Sequence, residues 1–337
     1  TFAQLFGSLL QLTPHSHSWI ADGVFVERED GTLYFHRLGP PSDKELAQLC
    51  ARIRSRVLRL IDPDEEEVTD EDDAAIARVQ AAVIEAAAWE SGMDNAPRFD
   101  ISDELKVLEN YDDKGRLLGY SLSQESVDLN SYLYAEKGYL AQMAELLGLD
   151  AQAVVWHEQA AWLGEQIRSE FFDDQSGFFY DRRLDGEHSR LMLTEGKGVE
   201  GWLPLWAGAA SEAQAQQMIL TQLSQSSFAT KVPFPTVSAD NPAFAPTRYW
   251  RGPVWLDQAL FGLRGISRYG HDVLSRRLAI QLVNQAEGVL SQAPIRENYD
   301  PLTGDGLHCT NFSCSASVRI LIYRSWLIET ESADKPE

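Results

Sequence analysis

From residue 74 onward the apolar residues recur at intervals of three and four, in segments separated by long connections rich in Gly, Pro, Trp and Tyr. Ile76, Val79, Val83 and Ala87 share one face, as do Ala153, Trp156, Ala160, Leu163, Ile167 and Phe171, and again Leu278, Leu282, Ala286 and Val289. That spacing belongs to helices that bury one stripe, so the chain is expected to be mainly α. The connections over residues 91–125, 173–204 and 231–256 are longer than simple turns and too aromatic to be disordered. Helices that display aromatic loops at one end suggest an (α/α) toroid, in which helical hairpins ring a pocket, although other helical folds share this periodicity.

The first part of the chain reads differently. Trp19, Ile20, Val24, Phe25 and Val26, the turn-like Glu29-Asp30-Gly31, then Leu33, Tyr34 and Phe35 predict a hairpin within residues 18–38. After Gly39-Pro40-Pro41, Ser42 and Glu45 form a capping-box pattern ahead of Leu46, Leu49, Ile53, Val57 and Leu60, which predicts an amphipathic helix. From Asp62 to Asp73 come nine carboxylates and no Lys or Arg. A run of that kind is solvated, as a linker or as an exposed loop of one continuous domain. We divide the chain into a small α+β amino-terminal segment, 1–73, and a helical domain, 74–330.

Charge narrows the choice of partner. With 29 basic residues against 51 acidic ones the net charge is −22, a field that repels phosphate backbones and anionic lipid surfaces. No nucleic acid and no membrane are therefore expected, whereas a neutral sugar is indifferent to the field. The chain has no run of eighteen apolar residues, and its start lacks a signal-peptide pattern, so a soluble protein, cytoplasmic or periplasmic, is expected. Cys50, Cys309 and Cys314 have neither an even count nor a paired spacing, and no metal or other cofactor is indicated.

Four loop segments place a carboxylate or a guanidinium beside aromatics and a backbone breaker: residues 89–99, Gly198-Val199-Glu200-Gly201-Trp202, Tyr249-Trp250-Arg251-Gly252-Pro253-Val254-Trp255, and residues 296–304. Sugar sites need that mixture, because ring faces stack on Trp and Tyr, hydroxyls take hydrogen bonds, and two carboxyl groups run acid/base chemistry. By residue type alone each acid is as well suited to capping a helix or pairing an arginine, and each Trp to filling a core.

From about Ala86 to Arg324 the sequence resembles the catalytic domain of glycoside hydrolase family 63, the family of processing α-glucosidase I and its bacterial α-glucosidase relatives. Ser91-Gly92-Met93-Asp94-Asn95-Ala96-Pro97-Arg98 is similar to the family's general-acid segment, and Glu297-Asn298-Tyr299-Asp300-Pro301-Leu302-Thr303-Gly304 to its general-base segment. Gln124-Glu125-Ser126-Val127-Asp128-Leu129, Gly196-Lys197-Gly198, Asn241-Pro242-Ala243-Phe244 and Tyr249-Trp250-Arg251-Gly252 follow in the same order. The resemblance implies an (α/α)₆ barrel, Asp94 as acid, Glu297 as base, and hydrolysis of α-glucosidic bonds with inversion in an oligosaccharide or small α-glucoside. Arg98, Glu125, Trp202, Tyr249, Trp250, Arg251 and Trp255 are then candidates for holding the sugar.

Departures accompany the resemblance. Only about ninety residues precede Asp94, where family members carry a large β-rich domain and several barrel helices. Roughly eight helical patterns follow the acidic run, against roughly twelve for a full barrel, so the toroid is expected to be incomplete and a homo-oligomer becomes possible. Cys314 stands where the bacterial relatives have Trp. Residues 1–85, with His15-Ser16-His17 and Asp22-Gly23-Val24-Phe25-Val26, resemble a fragment of a rolling-circle insertion-sequence transposase, in which a His pair binds metal. Ser16 in place of a hydrophobe and the missing nucleophilic Tyr region count against DNA chemistry. Two alternatives stay open: a non-catalytic carbohydrate-binding remnant and a metal-dependent DNA-processing protein.

Overall fold

A computed structural model of the chain describes residues 71–100, 105–185 and 188–328, together with the backbone of four short strands nearer the start. Those strands are β1 (Phe2–Gln4) and β2 (His15–His17), which pair antiparallel, and β3 (Gly23–Glu27) and β4 (Leu33–Arg37). The β3–β4 pair is the hairpin expected from residues 18–38, with Gly23 opposite Arg37 and Glu27 opposite Leu33. The helix expected over residues 42–61 lies outside the described residues.

Helix α1 (Glu71–Ser91) begins on the last carboxylates of the acidic run, residue types suited to the positive end of a helix dipole. It stops where Gly92 takes φ +78°, the left-handed turn that a side chain disfavours. The Ser91 hydroxyl donates to Ala88 O at 2.6 Å and accepts from Met93 N–H at 3.2 Å, so the exit direction of the chain is fixed. Two antiparallel strands, β5 (Val107–Tyr111) and β6 (Leu117–Leu122), then lead through the short β7 (Gln124–Glu125) into α2 (Val127–Leu146), which pairs with α3 (Asp150–Glu170) as a helical hairpin. The predicted stripe of α3 is the buried one, with Ala153, Leu163 and Ile167 inside and Phe171 closing its end.

The strands β8 (Phe172–Asp173) and β9 (Phe178–Phe179) form a small hairpin, and β10 (Arg182–Asp185) lies between β7 and β11 (His188–Leu191). After them come α4 (Leu203–Ala207), α5 (Glu212–Gln222), α6 (Leu256–Arg268) and α7 (Asp272–Gln285). A last hairpin, β12 (Arg296–Tyr299) and β13 (Gly306–Thr310), precedes α8 (Ser313–Ile322), which runs on into a π-helical turn, Tyr323–Leu327. Helix α6 is the hub: it packs on α4, α7 and α8, burying Leu256, Leu260, Leu263 and Ile266. Among the described residues no helix is long and apolar enough to cross a membrane.

Between α1, α2 and the β9–β10 connection lies a buried ionic cluster. Arg98, in the 3₁₀ turn Pro97–Phe99, donates through Nη1 and Nη2 to Asp128 at 3.0 and 2.8 Å and through Nη1 to Asp181 at 3.2 Å. The guanidinium is only 1% exposed. Burial by itself would lower its pKa, yet Asp128, Asp181 and Glu200 together hold it above its ordinary value. Asp181 also accepts from Val127 N–H, the first residue of α2, at 2.8 Å and from Gln124 Nε2 at 2.8 Å. One side chain therefore ties the segment after α1 to the start of α2 and to the β-hairpin region. Breaking a buried pair from one side leaves uncompensated charge, so Arg98→Ala is expected to destabilise the fold by about 3–5 kcal/mol. The midpoint of urea unfolding measures this, and an unchanged midpoint contradicts it.

Candidate active site

The acid segment leaves α1 at Gly92, and its conformation is set by two neighbours. Asn95 accepts from Trp250 N–H through Oδ1 at 2.8 Å, and Arg251 donates to Asn95 O at 3.3 Å while gripping Asp100 through both terminal nitrogens at 2.6 and 2.8 Å. The 249–255 loop thus holds Asp94 from one side, and the Arg98 cluster holds it from the other. Asp94 is half-buried, and desolvation raises its carboxyl pKa, an effect opposed by its own backbone N–H and reinforced by the negative charge of Glu297.

Glu297 sits on β12, at the irregularity between Arg296 and Asn298 in the pairing with β13. Its side chain is nearly buried, and its two oxygens have separate donors: Tyr249 Oη–H to Oε1 at 3.0 Å and Cys309 N–H to Oε2 at 3.2 Å. The hairpin that presents it is built by the Asp300-Pro301-Leu302-Thr303-Gly304 turn. Asp300 Oδ1 accepts from Leu302 N–H at 2.8 Å and from Thr303 N–H at 3.2 Å, and Gly304, at φ +84°, lies where any Cβ would collide with Gln285 O. The same loop joins both carboxyl groups, because Tyr249 bonds Glu297 while the next residue, Trp250, bonds Asn95. Burial raises the Tyr249 phenol, and the charges of Glu297 and Asp94 add to the effect.

Beside these groups lies a cleft of about 280 Å³ whose walls include Met93, Asp128, Tyr132, Trp250, Trp255 and Asp257. Trp250 and Trp255 stack at 4.2 Å between centroids and 12° between planes, and Tyr249 packs on Trp255 in an edge-to-face arrangement with centroids 5.2 Å apart. The partly buried Asp257, in the first turn of α6, has its carboxyl raised by desolvation, offset in part by Gln258 N–H. Cys314 and Phe312 form part of the wall too. Among the described residues no three His, Cys, Asp or Glu side chains converge as a metal ion requires.

The structure distributes the candidate residues unevenly. Trp250 and Trp255 reach the cleft wall. Tyr249 is turned to Glu297 and Arg251 to the acid segment, so both hold other residues in place. Arg98 is enclosed by Asp128 and Asp181, to which both of its terminal nitrogens donate. Glu125 pairs with Arg182 Nη1 at 2.9 Å between β7 and β10, away from the cleft wall. Trp202 departs furthest from expectation. It is fully buried, edge-on to Phe178, Phe228 and Phe234 at 5.3–6.4 Å between centroids, and so belongs to the core. Asp128, Tyr132 and Asp257 are the wall residues that residue type alone did not single out. Asp128 stood inside a quoted motif, and Asp257 follows Trp255 by two positions.

Neutral trehalase Nth1 from Saccharomyces cerevisiae superposes with a TM-score of 0.59 over 88% of this chain and 53% of its own, at 20% identity, which places the chain in the same fold class of helical toroids. The family is narrower: residues 44–315 match the mannosylglycerate hydrolase MGH1-like glycoside hydrolase domain, and the chain belongs to that family. It is 26% identical to the mannosylglycerate hydrolase of Thermus thermophilus over 271 residues, 69% of this chain and 62% of that protein. It is also 26% identical to the mannosylglycerate hydrolase of Rubrobacter radiotolerans over 274 residues, 68% of this chain and 59% of that protein. The chain therefore spans about three fifths of the length of these curated relatives. The family 63 resemblance agrees with these findings at the level of the domain, and these relatives are named as mannosylglycerate hydrolases. The resemblance of residues 1–85 to a transposase fragment is not shown by these comparisons, and the family match begins at residue 44, within that segment.

A core role for Trp202 differs measurably from a sugar-binding one. Trp202→Ala is expected to cost about 3–5 kcal/mol of stability, the range for truncating a large buried aromatic. Denaturant titration reads this, and an unchanged stability would return Trp202 to the list of ligand contacts.

Proposed function

We propose that this chain is an inverting glycoside hydrolase, with Asp94 as general acid and Glu297 as general base, acting on an α-linked glucoside or mannoside with a small polar aglycone. The observation that carries the reading is the contrast between the two carboxyl groups. Asp94 is desolvated beside a second negative charge, which favours its protonated form. Glu297 instead has a hydrogen-bond donor on each oxygen, the Tyr249 phenol on one and the Cys309 N–H on the other. A desolvated acid near a second carboxyl group whose oxygens are held by donors is the kind of pair that acid/base cleavage of a glycoside needs.

In the proposed reaction a sugar ring rests against the Trp250–Trp255 stack, Asp94 delivers its proton to the leaving oxygen, and Glu297 takes a proton from water on the opposite face. The bond from the anomeric carbon to the leaving oxygen breaks as the bond to water forms, which inverts the configuration. The names of the relatives, mannosylglycerate hydrolases and trehalases, support α-linked sugars with small partners over long polymers. The helical hairpins are read as a sector of an (α/α)₆ toroid, and the division at residue 73 as the start of that sector.

The test is hydrolysis of α-mannosyl glycerate, α-glucosyl glycerate, trehalose and an aryl α-glucoside, followed by proton NMR. The first product expected is the β-anomer of the free sugar. Asp94→Asn and Glu297→Gln should each lower kcat/KM at least about a hundredfold without loss of fold. Because the acid must be protonated, activity should fall as pH rises through the Asp94 pKa, and that alkaline limb should lie above the ordinary carboxylate range. An initial α-anomer would overturn inversion, and near-parent rates in both variants would overturn the assignment. Binding of these sugars without turnover would identify a carbohydrate-binding remnant instead.

A further inference from the structure

Beside the cleft lies a second chamber, of about 460 Å³, a size that small-molecule sites commonly have. Ser91, Asp128 and Tyr132 line both cavities and so form the wall between them. The rest of the chamber is built by the end of α1, by β6 and by the first turn of α2. Ser91 and Arg98 stand three positions before Asp94 and four after it, which puts the chamber against the segment of the proposed acid. Neither Glu297 nor Tyr249 is among the described residues that line it. A leaving group protonated by Asp94 departs on the acid's side of the sugar, and this chamber is the space on that side.

We propose that the chamber holds the leaving group and selects a neutral, hydroxylated one, a polyol or a second sugar, over one that carries a carboxylate. The inference rests on the reading of Asp94 as the acid. The wall offers hydroxyls at Tyr120, Ser121 and Ser126 and aromatic rings at Phe99 and Tyr132, the groups that a hydroxylated ligand needs. It offers a carboxylate nothing comparable. Arg98 is the one cation among the described lining residues, and its Nη1 and Nη2 already donate to Asp128 and Asp181. Its Nε–H has no acceptor among the described residues, but one N–H cannot make the two-point grip by which a guanidinium holds a carboxylate. The next cations outward are engaged as well. Arg183 donates to Gln124 at 3.1 Å and lies in the field of Glu195 and Asp181, and Lys106 Nζ is held by Asp185 at 2.7 Å. Glu90 and Asp128 meanwhile contribute carboxyl groups to the wall, so an anionic leaving group would be brought against like charge.

A matched pair of substrates tests this. α-Glucosyl glycerol and α-glucosyl glycerate, joined through the same hydroxyl, differ only in a CH₂OH group against a carboxylate. At low ionic strength kcat/KM is expected to favour the glycerol compound by at least about fivefold, and the ratio to narrow as salt is added. Ser121→Arg places a cation on the chamber wall and should bring the ratio to one or reverse it. Ser121→Gln, which adds bulk without charge, should keep the parent ratio. Because each ratio is taken within one protein, partial loss of fold does not alter it. A parent ratio of one, or in favour of glycerate, overturns the proposal, and so does a Ser121→Arg ratio equal to the parent's. Calorimetric titration of the same two compounds into Asp94→Asn gives the ratio of dissociation constants without turnover. If the parent hydrolyses neither compound, the hydrolase reading falls by itself: tighter binding of the glycerol compound, reversed by Ser121→Arg, still supports the chamber, and binding of neither compound overturns it.

Discussion

The contact on which the rest of the structure depends is the buried guanidinium of Arg98. A cation with no access to water must be neutralised where it lies, and the chain supplies Asp128 from the first turn of α2 and Asp181 from the connection between β9 and β10. These residues are 30 and 83 positions away, so satisfying one side chain brings three distant segments to a single point. Asp181 adds a second constraint by capping the first N–H of α2. The segment that carries Asp94 then has little freedom, since Asp94 lies only four positions before a group that cannot move without exposing charge to an apolar interior.

The second half of the site is carried by the 249–255 loop, which acts as a bracket. Trp250 N–H and Arg251 hold the segment of Asp94, Tyr249 holds Glu297, and Val254 exchanges backbone hydrogen bonds with Tyr299 two residues beyond Glu297, at 2.7 and 3.0 Å. Tyr249 sits at φ +50° to do this. Residues held in sparsely populated backbone regions persist only where the surroundings over-determine them, and the hydrogen bond to Glu297 with the packing against Trp255 and His308 supplies that excess here. The relative placement of the two carboxyl groups thus depends on one loop, and the stacked tryptophans of that loop are also the wall of the cleft.

Much of this was legible before any coordinates. The 3,4 spacing of Ala153, Leu163, Ile167 and Phe171 found the buried stripe of α3, and the turn residues at 29–31 found the β3–β4 hairpin. The motif residues located the loops that meet around the cleft. What the sequence could not separate was two uses of the same residue types. Trp202 and Trp255 are both tryptophans in glycine-bearing loops, but one is surrounded by Phe178, Phe228 and Phe234 and the other faces a cavity. Arg98 and Arg251 differ in the same way, for burial is a property of the partner segments and those come from far along the chain. Glycine roles were hidden likewise: Gly198 leaves room for the carboxyl of Glu200, and Gly201 for the ring of Phe178, contacts that no local pattern announces.

Glu200, buried beside the Arg98 cluster, has no such pair of its own among the described residues. Burial pushes its carboxyl up to about 8, with Arg98 opposing and Asp181 adding to the rise. Near neutral pH it is therefore a protonated acid in the native protein, while in the unfolded chain the same group would be ionised. Folding takes a proton from the solvent. A carboxyl raised in the native state contributes stability that is complete below its unfolded pKa and is lost as pH climbs through the native one. The fold of this highly anionic chain accordingly gains from mild acid in two ways, through this proton and through relief of the repulsion among its surface carboxylates. In calorimetric terms, the heat of unfolding near neutrality carries the ionisation enthalpy of whichever buffer receives that proton.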